Sequence, residues 1–568
     1  MVPLSEPYGK EYNVKSLYKK YTGILCALLL ALLMAAPAFS EEKPAPAAAP
    51  AATAPAVPAP AVKPDPSGVN TGVASDIVGG SANAPTQEEL DKLGKSEPLA
   101  AKVADAAGHN RISINIVWTL ICGFLVMFMQ AGFAMAETGF TRAKNAGHTM
   151  AMNFMVYALG LLGYWICGFA LQMGGVGGVA ALGGCKALSS EFTIHLFGKD
   201  FGLFGTTGFF LGNKVYDASI FALFLFQMVF MDTTATIPTG AMAERWNMKS
   251  FFVYGFFVSG IIYPLYGNWV WGGGWLSQLG VNLGLGHGHV DFAGSSVVHM
   301  TGGVIALAGA MVLGPRIGKF NKDGSPNPIP GHHIPMAIVG CFILAFGWFG
   351  FNAGSTLAGT DLRIAVVAAN TMLASAGGAF SSWVYMWVRY GKPDISMSAN
   401  GLLAGLVAIT APCAFVTAPV AVLIGVIAGV LCTLSIFFVE RVLKLDDPVG
   451  AISVHGTNGA WGVLALGLFA DGTYGDAFNG TKGTVKGLFY GDSGQFVAQC
   501  IGTLTNIVYV FAISWVFFKV LDKVVGLRVP KDLELEGLDQ GEVSVSAYPD
   551  FNLRHLPMGG YYPHKPEK

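Results

Sequence analysis

The chain has 568 residues, of which 53% are hydrophobic and only 12% carry a charged side chain, about half the charged share of an average soluble domain. Its 34 basic and 35 acidic residues nearly cancel, so the composition gives no indication of a basic surface for nucleic acid. Low charge together with 75 glycines is typical of helices that pack closely within a membrane.

The first forty residues have the pattern of a secretory signal. Four lysines precede a short apolar run over 21–34, and the small-residue end Ala38-Phe39-Ser40 follows it. A basic start, an apolar run too short to span comfortably and a small-residue end predict a signal peptide over 1–40. A retained anchor helix is the alternative interpretation.

Residues 41–110 form a predicted extension outside the membrane, in the periplasm of a bacterium. The tract over 43–66 is rich in alanine and proline, a composition that stays extended and builds no core. Thr86 and Glu89 form a capping-box pattern, which predicts one short helix near 87–94. We expect the rest of the extension to be mobile.

Eleven apolar segments follow, each long enough to cross a bilayer, which takes about 20 residues. They define a membrane domain over 111–522, and we number them span one to span eleven. In chain order they lie near 112–136, 149–172, 217–241, 250–271, 292–314, 335–354, 362–388, 397–415, 418–440, 451–470 and 495–521. The sequence therefore predicts an all-α polytopic membrane protein with eleven transmembrane helices.

Lysine and arginine favour the loops that follow the odd-numbered spans one to nine. Short basic loops mark the cytoplasmic side of a membrane protein. This distribution predicts an N-terminus outside the membrane, as a signal peptide requires. It also predicts a cytoplasmic C-terminal tail over 523–568.

The motif D-x-x-G-x-x-x-V-H-x-T-x-G occurs twice, over 291–303 and 447–459. Its histidine is His299 in span five and His455 in span ten. Five spans per copy is an odd number, so the second repeat should be inverted relative to the first. We expect two inverted five-helix repeats, about 112–314 and 335–470, with a peripheral eleventh helix and a site at their interface near the middle of the membrane.

Ionisable groups inside a bilayer are costly and usually functional. Two neutral imidazoles that face each other can hydrogen-bond a small polar solute or pass a proton. The alternatives are unrelated core histidines, axial haem ligands, or a metal site that lacks further ligands; we expect no cofactor and no metal. Asp291 and Asp447 are expected to cap their helices, with direct substrate contact as the alternative.

Aromatic residues cluster at the outer ends of spans three, four and six. Phe226 and Phe230 lie on one face of span three, either as ordinary packing or as a gate. Trp271 ends span four, where tryptophan is common as an interfacial anchor but can also bind a cation. Phe351 and Ser355 lie in span six.

Asp232 lies two residues after Phe230. Two residues correspond to about 200° of helical rotation. We therefore expect this carboxyl group to face a neighbouring helix or subunit, with part of a proton path as the alternative.

Five separated segments resemble the ammonium transporter (Amt/Mep/Rh) family, bacterial Amt type. Within residues 110–540 they are 240–245, 271–274, 291–303, 347–355 and 446–456. The resemblance implies a homotrimer, with one pore per subunit, that transports ammonium and its analogue methylammonium in the bacterial inner membrane and is not an enzyme. It also implies that a PII-type regulatory protein can bind the cytoplasmic side, including the tail.

The resemblance assigns roles to residues along one path through the protein. These are an outer ammonium-recruitment site (Phe230, Trp271 and Ser355), a phenyl gate (Phe230, Phe351 and Phe226), a twin-histidine pair (His299 and His455) and supporting acidic residues (Asp291 and Asp447). Ammonium would be recruited and deprotonated, and ammonia would pass an apolar pore. An ammonium sensor that signals through its tail, and an Rh-like channel for ammonia or carbon dioxide, are the alternatives.

Overall fold

A computed structural model describes residues 64–69, 71–78, 84–184, 186–475 and 478–549. Within these residues, nine helices are long and apolar enough to cross a membrane, and they coincide with spans one to seven, nine and eleven. Their bounds are Pro98–Phe140, Ala143–Met173, Ala218–Met242, Met248–Trp271, Ser295–Leu313, Ile334–Thr356, Arg363–Tyr390, Ala418–Arg441 and Ser493–Val524. The predicted signal peptide lies outside the described residues.

The other two predicted spans are helical but shorter. Span eight is the helix Ile395–Ile409, and Pro412, which has no N–H to continue a helix, follows it closely. Span ten consists of a π-helical turn, Ile452–Thr457, followed by the helix Asn458–Phe469. A count of eleven spans is therefore consistent with the structure, and the membrane part is all-α as predicted.

The two copies of the repeated motif adopt the same local structure. Gly294 and Gly450 both have positive φ, 111° and 81°, a conformation that glycine adopts without strain. A π-helical turn that contains the histidine follows each glycine. Asp291 and Asp447 accept the backbone N–H of these glycines at 2.9 and 3.0 Å, so both carboxylates cap their helices.

Spans five and ten cross in direct backbone contact. A Cβ atom added at Gly303 would lie 2.1 Å from the backbone nitrogen of Gly456, and one added at Gly459 would lie 2.5 Å from the carbonyl oxygen of Ser295. Both distances are too short for any side chain. The final glycine of each motif copy thus permits the close approach of the two helices.

The extension before the membrane is more ordered than the sequence suggests. The predicted short helix is confirmed as Gln87–Ser96, capped by Thr86 and Glu89. The helix of span one begins at Pro98, well before the predicted residue 112. Residues 64–69 and 71–78 also pack against the protein, and the Asp65 backbone N–H donates to the Asp217 carboxylate at 2.8 Å. The expectation of mobility is therefore wrong for these residues.

The loop between spans two and three contains a β-hairpin, which the all-α prediction missed. Strands β1 (Glu191–Leu196) and β2 (Lys199–Gly205) pair antiparallel. Gly198 lies in the connecting turn with a φ of 73°. The alternation of Phe192, Ile194 and Leu196 with polar residues is a strand pattern that the sequence analysis overlooked.

A buried ion-pair cluster joins the loops that follow spans three, five and nine. The Arg316 guanidinium donates to Glu244 at 2.6 Å and to Asp446 at 2.8 Å, and all three side chains are almost fully buried. Burial alone would raise the pKa of Asp446, but the charge of Arg245 and the hydrogen bonds from Arg316 hold that pKa well below its usual range.

The chain after span eleven packs against the same end of the helix bundle. Three acidic side chains of this segment each accept a backbone N–H from a loop or a helix start. Glu534 bonds Ile317 at 2.7 Å, Asp539 bonds His148 at 2.9 Å and Glu542 bonds Met248 at 2.7 Å. Carboxylates are favoured at helix N-termini, so these acids dock the segment.

We predict that Arg316→Met lowers the free energy of unfolding by about 3–5 kcal/mol, because it removes the cation that bonds both the Asp446 and the Glu244 carboxylate inside the protein and leaves Glu244 with Arg142 alone. Thermal unfolding of the purified protein in detergent measures the loss. The matched control is Lys92→Met, since Lys92 pairs with Glu88 where the two side chains are 74% and 79% exposed. Equal melting temperatures for the two variants would contradict the importance of the cluster.

Candidate functional site

Five side chains from spans three, four, five, six and ten form a continuous row, which we call the aromatic row: Trp271, Phe230, Phe351, His299 and His455. The ring of Phe230 lies 6.0 Å from that of Trp271 and stacks on Phe351 at 4.1 Å. His299 stacks on Phe351 at 5.3 Å, and the centroid of its ring also lies 5.3 Å from that of His455. Four of the five are buried, and Trp271 is half-buried.

Trp271, at the end of the row away from His455, and Ser355 are each fixed by a hydrogen bond to backbone. The Trp271 indole N–H donates to the carbonyl oxygen of Asp291 at 2.7 Å. The Ser355 hydroxyl donates to the carbonyl oxygen of Phe351, one turn earlier in span six, at 2.7 Å. The Trp271 indole is thereby held against Phe230 in an edge-to-face arrangement, with an angle of 74° between the two rings.

Phe226 belongs to the same face of span three as Phe230, as its spacing predicts. The two rings lie 4.7 Å apart. A Cβ atom added at Gly354 would lie 3.1 Å from the Phe226 ring, so Phe226 also contacts span six. It therefore reinforces the packing beside the Phe230–Phe351 stack.

The Asp291 carboxylate is fully occupied in capping. It accepts the backbone N–H groups of Gly294, Ser295, Ser296 and Val297 at 2.7–2.9 Å, and it also accepts the Ser296 hydroxyl at 2.7 Å. Asp291 thus fixes the start of the His299 turn and the carbonyl to which Trp271 binds. This geometry favours the supporting role over direct substrate contact.

The two histidines meet edge to edge through their Nδ1 atoms, which are 3.2 Å apart. A hydrogen bond between two imidazole nitrogens needs one N–H donor and one lone-pair acceptor, so the two rings hold complementary tautomers. The Nε2 atom of His299 is buried and has no partner among the described residues. This nitrogen is available to a small polar solute.

The sequence analysis did not identify two aromatic residues that lie next to the histidines. Trp348 stacks on His299 at 5.0 Å and is fixed by donating its indole N–H to the Thr410 hydroxyl at 2.9 Å. Phe133 of span one lies 6.1 Å from His455. The sequence carries no distinctive signal for either, because aromatic residues are frequent in all the spans.

A small pocket with a volume of about 30 Å³ borders His455, and neither His299 nor Phe351 belongs to its lining. Its lining includes Phe133, Glu137 and Val449. The Glu137 carboxylate is buried and accepts from the Asn153 amide at 2.6 Å and the Thr239 hydroxyl at 2.7 Å. The sequence could have identified Glu137 as a candidate functional residue, because it is an ionisable residue near the end of a long apolar span.

The packing around the histidines disfavours the haem and metal alternatives. His299 stacks on Trp348 and Phe351 and meets His455 through their Nδ1 atoms, so a haem at this pair would have to displace these contacts. Within the described part of the chain, no group of three or more His, Cys, Asp or Glu side chains could hold a metal ion. The rings are arranged for packing and hydrogen bonding.

Asp232 lies away from the aromatic row. It is buried, and its Oδ1 atom has no partner among the described residues. That atom lies 4.0 Å from the position a Cβ atom would occupy at Gly160 of span two. The side chain therefore faces a neighbouring helix, in agreement with the rotation expected from the sequence.

Comparison with known proteins places this geometry in a family. The sequence profile of the Ammonium Transporter Family matches residues 117–548. Ammonium transporter Amt2 of Archaeoglobus fulgidus is 48% identical over 442 residues, which cover 78% of this chain and 89% of that protein.

Comparison with solved structures gives the same family. A structure named Sensor Amt Protein superimposes with a TM-score of 0.66 at 35% identity, covering 76% of this chain and 99% of its own. Mep2 of Candida albicans gives a TM-score of 0.62 at 26% identity, covering 74% and 87%. The chain is therefore a member of the ammonium transporter family.

Proposed function

We propose that this protein transports ammonium across the membrane and that ammonia, without its proton, passes the two histidines. The observation that carries the proposal is the buried aromatic row, which connects a half-buried tryptophan to the pocket that borders His455. Family membership and the transport activity named for its relatives support the substrate.

Recruitment takes place at Trp271, Phe230 and Ser355. An ammonium ion over an aromatic face gains about 0.5–2 kcal/mol from cation–π attraction, with the larger value in desolvated sites. The hydroxyl oxygen of Ser355 keeps lone pairs to accept an N–H of the ion, because its own proton is donated to Phe351.

The ion transfers its proton to water at the recruitment site, and the resulting ammonia then passes the Phe230–Phe351 gate, beside which Phe226 packs. An isolated ammonium ion in a low-dielectric medium costs on the order of tens of kcal/mol, whereas neutral ammonia avoids most of that cost. Potassium has no proton to lose, so the same barrier excludes it. Stacked rings 4.1 Å apart also close the path to bulk water.

His299 and His455 then offer the neutral solute the hydrogen bonds that it makes with water outside the protein. Because the Nδ1 atoms share one proton, one of the two Nε2 atoms is an acceptor and the other carries a hydrogen. Ammonia can donate to the first and accept from the second. The separate route of the released proton can be tested by recording current on solid-supported membranes after an ammonium pulse.

We also propose the organisation that the sequence predicts: a multi-pass protein of the bacterial inner membrane with its N-terminus outside. Residues 1–40 act as a signal peptide, 41–110 form a periplasmic extension, and 523–568 form a cytoplasmic tail. Homotrimer assembly and regulation by a PII-type protein follow from the family resemblance. The docking of Glu534, Asp539 and Glu542 on basic loops supports placing the tail on the cytoplasmic side.

Two alternatives are less well supported. Signalling by a sensor does not require a pocket next to the histidines, whereas one borders His455. An Rh-like channel for ammonia or carbon dioxide has no need of a cation site, yet Trp271 is held against Phe230. Transport of ammonium uses both features.

We predict that His299→Ala and His455→Ala each reduce methylammonium uptake by about tenfold or more, since ammonia would lose a hydrogen-bond partner inside an apolar passage. Uptake of radiolabelled methylammonium by cells that lack their own transporters measures the effect. Potassium conductance is measured in parallel, and relaxed selectivity would also support the role of the pair.

The matched control for the histidines is His195→Ala, because His195 is exposed in the β1–β2 hairpin. This control should transport like the unaltered protein. Unchanged uptake and unchanged selectivity in both pore variants would contradict the proposed passage past His299 and His455.

We predict that Trp271→Leu raises the KM for methylammonium by about 2- to 30-fold, which corresponds to the loss of one cation–π contact. The maximal rate should change much less, because the histidines remain. Initial-rate uptake over a range of concentrations gives both constants. Trp165→Leu is the control at the outer end of span two, where the indole instead contacts Phe210. Equal KM values for the two variants would exclude Trp271 from recruitment.

A further inference from the structure

A glutamate of the β1–β2 hairpin reaches the base of the turn that carries Trp271. Glu191, the first residue of β1, accepts the side-chain N–H of Asn268 on its Oε2 atom at 3.2 Å. Asn268 lies in the last turn of span four, three residues before Trp271. Its backbone carbonyl accepts the N–H groups of Gly272 and Gly274 at 2.9 and 3.0 Å, so it organises the turn after the tryptophan.

The two side chains are enclosed by glycine backbone. A Cβ atom at Gly175 would lie 2.0 Å from Glu191 Oε2, and one at Gly202 would lie 2.8 Å from Oε1 and 3.2 Å from the Cα atom of Gly274. The Trp275 N–H also donates to the carbonyl oxygen of Gly202 at 2.9 Å. The hairpin, the carboxyl group and the glycine turn are therefore packed in direct contact.

Each partner has one buried oxygen that lacks a donor. Glu191 Oε1 and Asn268 Oδ1 are both buried and accept no hydrogen bond from any described residue. They belong to two groups that are already joined by the Oε2 contact. A proton on Oε1 supplies the missing donor, because a carboxylic acid and an amide can form two parallel hydrogen bonds.

We propose that Glu191 is a positioning residue for the outer site: its neutral carboxyl pairs with Asn268 through two hydrogen bonds and holds the glycine turn that fixes Trp271. This role rests on the proposed function, since it concerns how Trp271 is presented to ammonium. When the proton leaves to solvent, two acceptor oxygens remain without a donor, and the pair opens.

The pKa of Glu191 is consistent with a neutral carboxyl group that pairs with Asn268. Burial raises the pKa of Glu191 to about 7, against the opposing effect of the Asn268 hydrogen bond. The acid is thus neutral below about pH 7 and ionised above it.

Among the described residues, no charged side chain forms an ion pair with the Glu191 carboxyl group, and its side-chain partner is the Asn268 amide. The segment at Gly175 contributes backbone to its surroundings. The charged groups of the hairpin lie at its exposed end: His195, Lys199 and Asp200.

The test compares the KM for methylammonium at about pH 6 and about pH 8, on either side of the Glu191 transition. Methylammonium remains almost wholly protonated throughout. We expect the KM of the unaltered protein to rise about fivefold at the higher pH, the equivalent of one lost neutral hydrogen bond. Glu191→Gln, whose amide can form both hydrogen bonds at any pH, should keep the low KM throughout. Glu191→Ala should have the high KM throughout.

His195→Gln is the matched control in the same hairpin and should follow the unaltered protein. A Glu191→Gln variant that retains the full pH dependence would overturn the proposal. So would a KM that falls as the pH rises and becomes constant in Glu191→Gln, because the carboxylate would then attract the cation directly.

A second measurement does not depend on transport. Infrared difference spectra of the purified full chain should show a protonated carboxyl band that disappears between about pH 6 and about pH 8 and is absent in Glu191→Gln. If no such band depends on Glu191, the pairing is overturned even where uptake is normal. Absence of uptake at every pH, with the band present, would instead contradict the proposed function.

Discussion

The contact between Gly303 and Gly456 is the constraint on which the rest of the site depends. With any side chain at Gly303 the backbones of spans five and ten could not approach as they do, since a Cβ atom there would lie 2.1 Å from the Gly456 nitrogen. The Nδ1 atoms of the two histidines are 3.2 Å apart because each histidine lies within a turn or so of this crossing. Each copy of the repeated motif therefore supplies four features of the site: an aspartate cap, a positive-φ glycine, a histidine and a glycine at the helix contact.

The aromatic side chains of the row account for the chemistry of the proposed passage. Between Trp271 and His299 the neighbouring side chains of the row are aromatic, so a solute there meets ring faces that attract a cation weakly and accept hydrogen bonds poorly. The first nitrogen that can bond it inside is on an imidazole. A charged solute would lose its hydration before it gained a partner, whereas a neutral one loses much less.

The sequence predicted well what is encoded locally or by repetition. Long apolar segments located all eleven helical positions, and the duplicated motif identified His299, His455 and their aspartate caps before any coordinates. The sequence did not predict Trp348 beside His299 or the packing of residues 64–69 and 71–78 against the protein. Glu191 and Asn268, which are 77 positions apart, meet only because the hairpin folds over span four. Such contacts depend on tertiary packing, for which a single sequence contains no periodic signal.

Two carboxyl groups, those of Asp446 and Glu191, show how the same chemical group serves opposite ends of the bundle. Asp446, in the loop after span nine, lies beside Arg316 and Arg245, and these cations keep it ionised. Glu191, in the loop after span two, has an amide as its hydrogen-bond partner and no cation, and its burial favours the neutral acid. Because the pKa of Asp446 is lowered, its ion pair with Arg316 persists over a wide pH range. Such an ion pair suits a cluster that joins loops to one another. A neutral acid can lose its proton as the pH of the surrounding medium rises, and the amide that it bonds, Asn268, lies three residues before Trp271, the proposed recruitment residue.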